Sequence, residues 1–304
     1  MNIIFMGTPD FAVASLKALL EANYNIVAVI TAPDKPAGRG QMLNQSAVKK
    51  FAIQNNLNVL QPEKLKNPDF LAQLKQLNAD VQIVVAFRML PQVVWAMPPK
   101  GTINLHGSLL PQYRGAAPIN WAIINGEKQS GVTTFLLKHE IDTGDILFSE
   151  TVAIADNTTA GQLHDTLMYI GAKLIVKTVK AIEFGDYTEK VQDNINPKKL
   201  KHAPKLYKEN CLINWNNTTA QAYNQIRGLS PFPTAYTYFN NKILKIFTCE
   251  KEIAKPTVAA GSFLTDGKTY LKYATTDGFI LLTDIQLEGK KRMPIADLLR
   301  GIRL

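Results

Sequence analysis

Asn2-Ile-Ile-Phe-Met-Gly7, followed by Thr8-Pro-Asp10 and the apolar positions Phe11, Leu16, Leu19 and Leu20, decides how the chain begins. A β-prone run stopped by glycine, an apolar stripe at helical spacing and a second run over 26–31 form a strand-helix-strand unit. Asp10 is placed to cap the helix. In such a unit the connecting loop and the helix N-terminus sit at the carboxyl end of the first strand, where open α/β sheets build their clefts. The alternation continues with a helix over 46–56, a short strand over 58–60, a helix over 68–77 and a buried strand over 81–87. Beyond Gly101 come a strand ending at His106, a helix opening at Pro118, strands over 132–137 and 146–154, and a long helix capped by Thr158 or Thr159 and closed by Gly185. This pattern predicts a mostly parallel sheet covered on both faces.

Past residue 190 the pattern changes. Residues 190–205 carry five lysines and two prolines with little apolar periodicity, and read as an exposed basic linker. Residues 235–239 and 243–247 then flank a turn at Asn240-Asn241-Lys242, and Asp266-Gly267 and Asp277-Gly278 mark two more tight turns. Short strands of period two with one helix over 219–227 predict a small OB-like β-barrel. The expected division is a domain over 1–189, the linker over 190–205 and a second domain over 206–304.

Charge falls on the same boundary. The 304-residue chain has a net charge of +9, but residues 1–189 hold 16 basic and 16 acidic side chains, whereas residues 190–304 hold 18 and 9. A neutral half joined to a basic one points to a polyanionic partner. Of the chain, 46% is hydrophobic, a share that excludes a disordered tail, and no apolar run reaches membrane-spanning length, so no membrane partner is expected. Cys211 and Cys249 have no Cys-x-x-Cys or histidine partner and read as buried thiols of a reducing, cytoplasmic compartment. The four histidines lack ligand spacing, so no metal is expected. A monomer is expected.

The chemistry gathers around Asn104 and His106. Two residues apart on one strand, their side chains share a face near its carboxyl end. A carboxamide beside an imidazole supplies an oxyanion donor and a proton carrier, which acyl transfer requires. Asp142, in Glu140-Ile-Asp-Thr-Gly-Asp145, is a candidate third member; a self-capping turn is the alternative. Asp142-Thr-Gly also matches aspartic proteases, but those need a second such loop in an all-β fold. The single Gly7 is not a Gly-x-Gly-x-x-Gly fingerprint, so a nicotinamide dinucleotide is not expected, while phosphate at the helix N-terminus stays open. Arg39, between two glycines in the loop over 34–40, is placed to meet a phosphate or carboxylate.

Asn104-Leu-His106, Ser108-Leu-Leu-Pro-Gln-Tyr-Arg-Gly-Ala-Ala-Pro118 and Asp142-Thr-Gly-Asp145 resemble the signature of the 10-formyltetrahydrofolate-dependent formyltransferases. Phe5 to Phe11, Pro33 to Gly40, Ile226 to Pro233 and Gly289-Lys-Lys-Arg-Met293 resemble the branch acting on methionyl-tRNA, and the similarity runs the length of the chain. The resemblance implies a Rossmann-like catalytic domain and an OB-like second domain. It also implies formyl transfer from 10-formyltetrahydrofolate to the free α-amine of initiator methionyl-tRNA, with Asn104, His106 and Asp142 as the catalytic trio.

By the same resemblance, Ser108, Leu109, Leu110 and Pro111 line the folate site, Phe87, Met89 and Leu90 together with the Asp142 turn enclose the pterin, and Arg39 engages the tRNA acceptor end. Arg88 and His139-Glu140 depart from positions where glycine is common. Lys190, Lys198, Lys199, Lys201 and Lys205 are expected along the acceptor stem. On this reading Asn104 and His106 both donate to the oxyanion. A formyltransferase for a small amine, such as glycinamide ribonucleotide or an amino sugar nucleotide, would keep the trio but would not need the basic half.

Overall fold

A computed structural model describes residues 1–37, 42–192 and 199–301. The chain forms two compact units: Met1–Arg114, Gly131–Val152 and His164–Lys201 in the first, Gly115–Ser130, Ala153–Leu163 and His202–Leu304 in the second.

The first unit opens with β1 (Asn2–Gly7), α1 (Asp10–Glu21) and β2 (Asn25–Ile30). Helix α1 starts at Asp10 with Pro9 in the cap position, so Asp10 does not cap with its side chain; its carboxylate lies in the first turn, where it complements the helix dipole. A small hairpin of β3 (Lys35–Ala37) and β4 (Met42–Asn44) leads to α2 (Ala47–Gln54), whose cap Ser46 accepts from the Lys49 amide. Along the chain there follow β5 (Val59–Leu60), α3 (Pro68–Gln76), β6 (Val81–Val85), α4 (Gln92–Trp95), β7 (Thr102–His106), β8 (Arg114–Gly115), α5 (Pro118–Ile124), which belongs to the second unit, β9 (Gln129–Leu136), β10 (Ile146–Ala153) and α6 (Ala160–Phe184).

The seven-stranded sheet runs β10-β9-β7-β6-β1-β2-β5. It is parallel from β5 to β7, and β9 then pairs with β7 antiparallel. Strand β6 is buried at every position because it has a parallel neighbour on each side and a covered face above and below. One sheet face sends Ile4, Met6, Ala28, Ile30 and Val84 into a core with Phe70, Leu74 and Val94. Gly7 has a packing reason: a Cβ there would stand 2.6 Å from that of Ala12. In register across the centre, Gly7 pairs with Val85 and Val85 with Leu105, so β1, β6 and β7 end together beside Asn104 and His106.

The second unit contains β11 (His202–Ala203), α7 (Lys208–Cys211), α8 (Thr219–Leu229), β12 (Ala235–Phe239), β13 (Lys242–Glu252), β14 (Phe263–Thr265), β15 (Leu271–Ala274), β16 (Phe279–Leu287), β17 (Met293–Pro294) and α9 (Ile295–Arg300). Its sheet, in the order β12-β13-β16-β15-β14 with β17 on β16, is antiparallel and curled, with register shifts near Thr248 that bend β13. The ring of Phe263 bridges Phe239 and Tyr273, drawing β12 toward β14. Asn240 and Asn241 both adopt the left-handed backbone, which a two-residue hairpin turn needs. Helix α8, with a Thr218–Gln221 capping box, sends Ala222, Ile226 and Leu229 into the core formed by Leu244, Ile246, Ile280 and Ile285. Helix α5, from the first half of the sequence, packs against α8 in this unit.

Both cysteines are free; Cys211 is buried, and burial pushes the half-buried Cys249 thiol up to about 12. Among the described residues no helix is long and apolar enough to cross a membrane.

Candidate active site

Asn104 and His106 lie on one face of β7, in the middle of the sheet, at its carboxyl end. The Asn104 carboxamide is half-buried and makes no hydrogen bond to another described side chain. His106 is buried, and its Nε2 lies 2.9 Å from the Tyr113 carbonyl oxygen. A carbonyl only accepts, so Nε2 carries the proton and, in the neutral ring, Nδ1 presents a lone pair. That Nδ1 faces Asp142 Oδ2 at 3.8 Å, beyond hydrogen-bonding reach but within strong electrostatic reach. The three residues named from sequence therefore meet at one edge of the sheet. The roles divide, however: the Nε2–H of His106 is committed to Tyr113, which leaves Asn104 as the free donor of the pair.

Backbone geometry marks the same edge. Ala86, Tyr113 and Asp142 all have positive φ (47°, 61° and 55°), the left-handed region that costs non-glycine residues about 1–3 kcal/mol. Ala86 and Tyr113 belong to the loops that follow β6 and β7, and Asp142 to the loop between β9 and β10. Between β9 and β10, the turn over 142–145 requires Gly144, where a Cβ would fall 1.6 Å from the Leu136 carbonyl oxygen. Asp145 binds Lys138 at 2.7 Å through one carboxylate oxygen; the other is buried without a partner among the described residues.

Gln192 holds this turn, and sequence reading missed it. Its buried amide donates to the carbonyls of Asp142 (3.2 Å) and Gly144 (2.5 Å), while its Oε1 accepts from Arg114 (2.8 and 3.3 Å). A lone glutamine within a lysine-rich stretch carries no signal of that role. Replacing it with Leu strips those carbonyls and the guanidinium of a partner, at roughly 1–3 kcal/mol for the buried groups. Gln192→Leu is expected to lower Tm by several degrees and kcat about tenfold; an unchanged kcat in the folded variant would show that the Asp142 turn holds itself.

The other expected contacts divide. Met89 is 73% exposed at the end of β6, as is Ile141 (59%) beside Asp142, while Leu90 is buried in the core and Phe87 is half-buried. Arg88 turns away, donating to the carbonyls of Pro62 and Glu63 and lying 5.5 Å from the Phe87 ring; burial lowers its pKa. The His139 ring meets Trp95 edge-on at 5.5 Å.

Ser108 is wholly buried and donates to the Gln112 carbonyl, and Leu110 is buried. Only Leu109 and Pro111 of that segment keep partly accessible side chains. Arg39 and Lys198 lie outside the described residues; Lys190, Lys199, Lys201 and Lys205 are exposed.

At the far side of the same edge, Asp34 accepts from Lys49 (2.5 Å) and Gln61 (2.8 Å), and these bonds hold its carboxyl below the usual range while anchoring the root of the β3–β4 hairpin. A cavity of about 560 Å³ opens there between Asp10, Asn44, Ser46, Lys50 and Phe51.

A carboxamide with no described partner, a tautomer-fixed imidazole and a facing carboxylate are the groups that acyl-type transfer through an oxyanion and a proton relay requires. Comparison with known proteins gives the particular case. The chain belongs to the formyl transferase family: residues 1–179 match the family described as formyl transferase, and residues 205–303 match the formyl transferase C-terminal domain.

The chain is 53% identical to a methionyl-tRNA formyltransferase of Azobacteroides pseudotrichonymphae, over 99% of this chain and 95% of the relative. It is 50% identical to one of Bacteroides fragilis, over 100% and 96%. Among solved structures, an N-formyltransferase of Helicobacter canadensis in complex with folinic acid and dTDP-3-aminofucose shares the fold at a TM-score of 0.70 and 23% identity, over 93% of this chain and 99% of that one.

Proposed function

We propose that the chain transfers the formyl group of 10-formyltetrahydrofolate to the free α-amine of methionyl-tRNA, giving N-formylmethionyl-tRNA. The observation that carries the chemistry is the free Asn104 carboxamide beside a His106 whose Nδ1 lone pair faces Asp142. The acceptor follows from relatives at about half identity over their whole length and from the basic half of the chain. For the donor, exposed Met89 and Ile141 offer an apolar surface for a flat ring, and the unpartnered Asp145 oxygen suits a ring N–H.

An α-amine has a pKa of about 8 or below, so much of it is neutral at physiological pH and attacks the formyl carbon as it stands. Asn104 donates to the oxygen that gains charge. The attacking nitrogen passes its proton to His106 Nδ1, and Asp142 stabilises the imidazolium that results. His106 then returns the proton to the departing N10 nitrogen as the C–N bond to the folate breaks. The cavity beside Asp10 and Phe51 lies on the same sheet edge and gives room for the acceptor's terminal nucleoside.

With 10-formyltetrahydrofolate supplied, the protein should formylate methionyl-tRNA and leave glycinamide ribonucleotide and amino sugar nucleotides untouched. Changing Lys190, Lys198, Lys199, Lys201 and Lys205 to Glu should weaken tRNA binding and flatten its salt dependence, by about 0.7–0.9 in log–log slope for each phosphate that is no longer neutralised. Comparable formylation of a small amine would defeat the tRNA reading, and unchanged binding and slope would reduce the basic segment to a tether.

A further inference from the structure

The basic segment is hydrogen-bonded to the catalytic edge through two arms. In the first, Lys190 exchanges both main-chain bonds with Ile146 at 2.9 Å, directly after the Asp142 turn, and Gln192 binds the Asp142 and Gly144 carbonyls. In the second, the Gln112 side chain accepts from the Lys201 amide (2.8 Å) and donates to the Lys199 carbonyl (3.2 Å). The Tyr113 amide donates to the Lys201 carbonyl at 2.6 Å, and the Tyr113 carbonyl accepts from His106. One arm thus ends on the main chain of the turn that carries Asp142, the other, through the Tyr113 carbonyl, on the imidazole of His106. The side chains of Lys190, Lys199 and Lys201 are exposed.

We infer that RNA held on these lysines aligns His106 with Asp142, so that capture of the acceptor stem switches on the proton relay. The inference rests on the proposed tRNA acceptor and adds a positioning role for Gln112 and Tyr113. The resting pair stands at 3.8 Å, about 1 Å beyond a charge-assisted hydrogen bond. Tyr113 sits in a left-handed conformation that its surroundings must impose. A phosphate contact that fixes the main chain over 199–201 fixes the Tyr113 peptide, and with it the imidazole, one hydrogen bond further on. A substrate lacking the stem engages the same site without that constraint and reacts from the looser pair.

The test compares methionyl-tRNA with methionine esterified to the trinucleotide CCA, both saturating, in the wild type and in Gln112→Ala. This substitution removes both side-chain bonds to the second arm and keeps the Gln112 carbonyl that Ser108 binds. In the wild type, kcat for the tRNA should exceed that for the fragment about tenfold; in Gln112→Ala the ratio should fall toward one, with KM for the folate unchanged. A wild-type ratio near one, an equal loss on both substrates or no loss at all would overturn the coupling.

Independently of how the variant folds, unacylated tRNA should shift the ¹⁵N resonances of His106 in the wild type, and unshifted resonances at saturation would also overturn it. If the wild type formylates neither substrate, the acceptor reading fails on its own, and the resonance measurement still decides the coupling.

Discussion

Asp142→Asn is expected to fold normally and to lose turnover by about a thousandfold. Asparagine matches aspartate in shape and tolerates the left-handed backbone, which Asp142 adopts at φ 55°, about as well. The turn keeps Gly144 and the Gln192 bonds to its carbonyls, because those bonds are to the main chain. What disappears is the negative charge 3.8 Å from His106 Nδ1. Since Nε2–H is tied to Tyr113, a proton taken from the amine has to reside on Nδ1, the nitrogen that faces the missing charge. At an effective dielectric near 20, two unit charges at that separation interact by about 4 kcal/mol, which corresponds to roughly three orders of magnitude in rate. Single-turnover formylation with a melting curve beside it measures both halves of the expectation. Normal turnover in a folded variant would leave Asp142 as a turn residue only.

Asn104→Ala should cost 10²- to 10³-fold in kcat, in line with the loss of one oxyanion donor. Strand β7 is paired on both sides through main-chain bonds, so a half-buried side chain can be shortened there without loosening the strand. Because the carboxamide has no partner among the described residues, removing it strands none of their groups, and the cost should fall on the transition state rather than on stability. Binding of methionyl-tRNA, measured separately, should be unaffected. Retained turnover would take Asn104 out of the mechanism and return the oxyanion to another donor.

Taken together the two variants distinguish the roles that the geometry divides. Were His106 the main oxyanion donor through Nε2, loss of Asn104 would be mild and loss of the Asp142 charge would act chiefly on ring orientation. The bond from Nε2 to the Tyr113 carbonyl argues for the opposite weighting.

Several of these features were legible in the chain itself. The glycine-ended run before α1, the buried strand β6 and the threonine cap of α6 follow from short-range periodicity and from side chains that satisfy helix ends a few residues away. Asn104 and His106 share a face because a strand alternates, and that rule needs no fold. The charge step near residue 190 likewise announced a segment that faces solvent.

Asp10 shows where local reasoning slipped by one residue: its place after Pro9 looked like a cap, but proline's fixed φ suits the helix entry and moved the cap position back. Residues 190–205 show a deeper gap. Their composition described the lysine side chains, yet their main chain and Gln192 fasten the turns that carry Tyr113 and Asp142.

The sequence by itself determined the alternation of elements, the pairing of a carboxamide with an imidazole on one strand, and the placement of charge, since each is written in spacings of two to four residues. Only the tertiary structure decided which imidazole nitrogen holds the proton, which turn carbonyls Gln192 satisfies 50 residues away, and how Lys201 reaches Gln112 across 89. Those bonds depend on strand register and on the path of loops beyond the sheet edge, and a hydrogen bond between distant residues leaves no period in the chain for a reader to find.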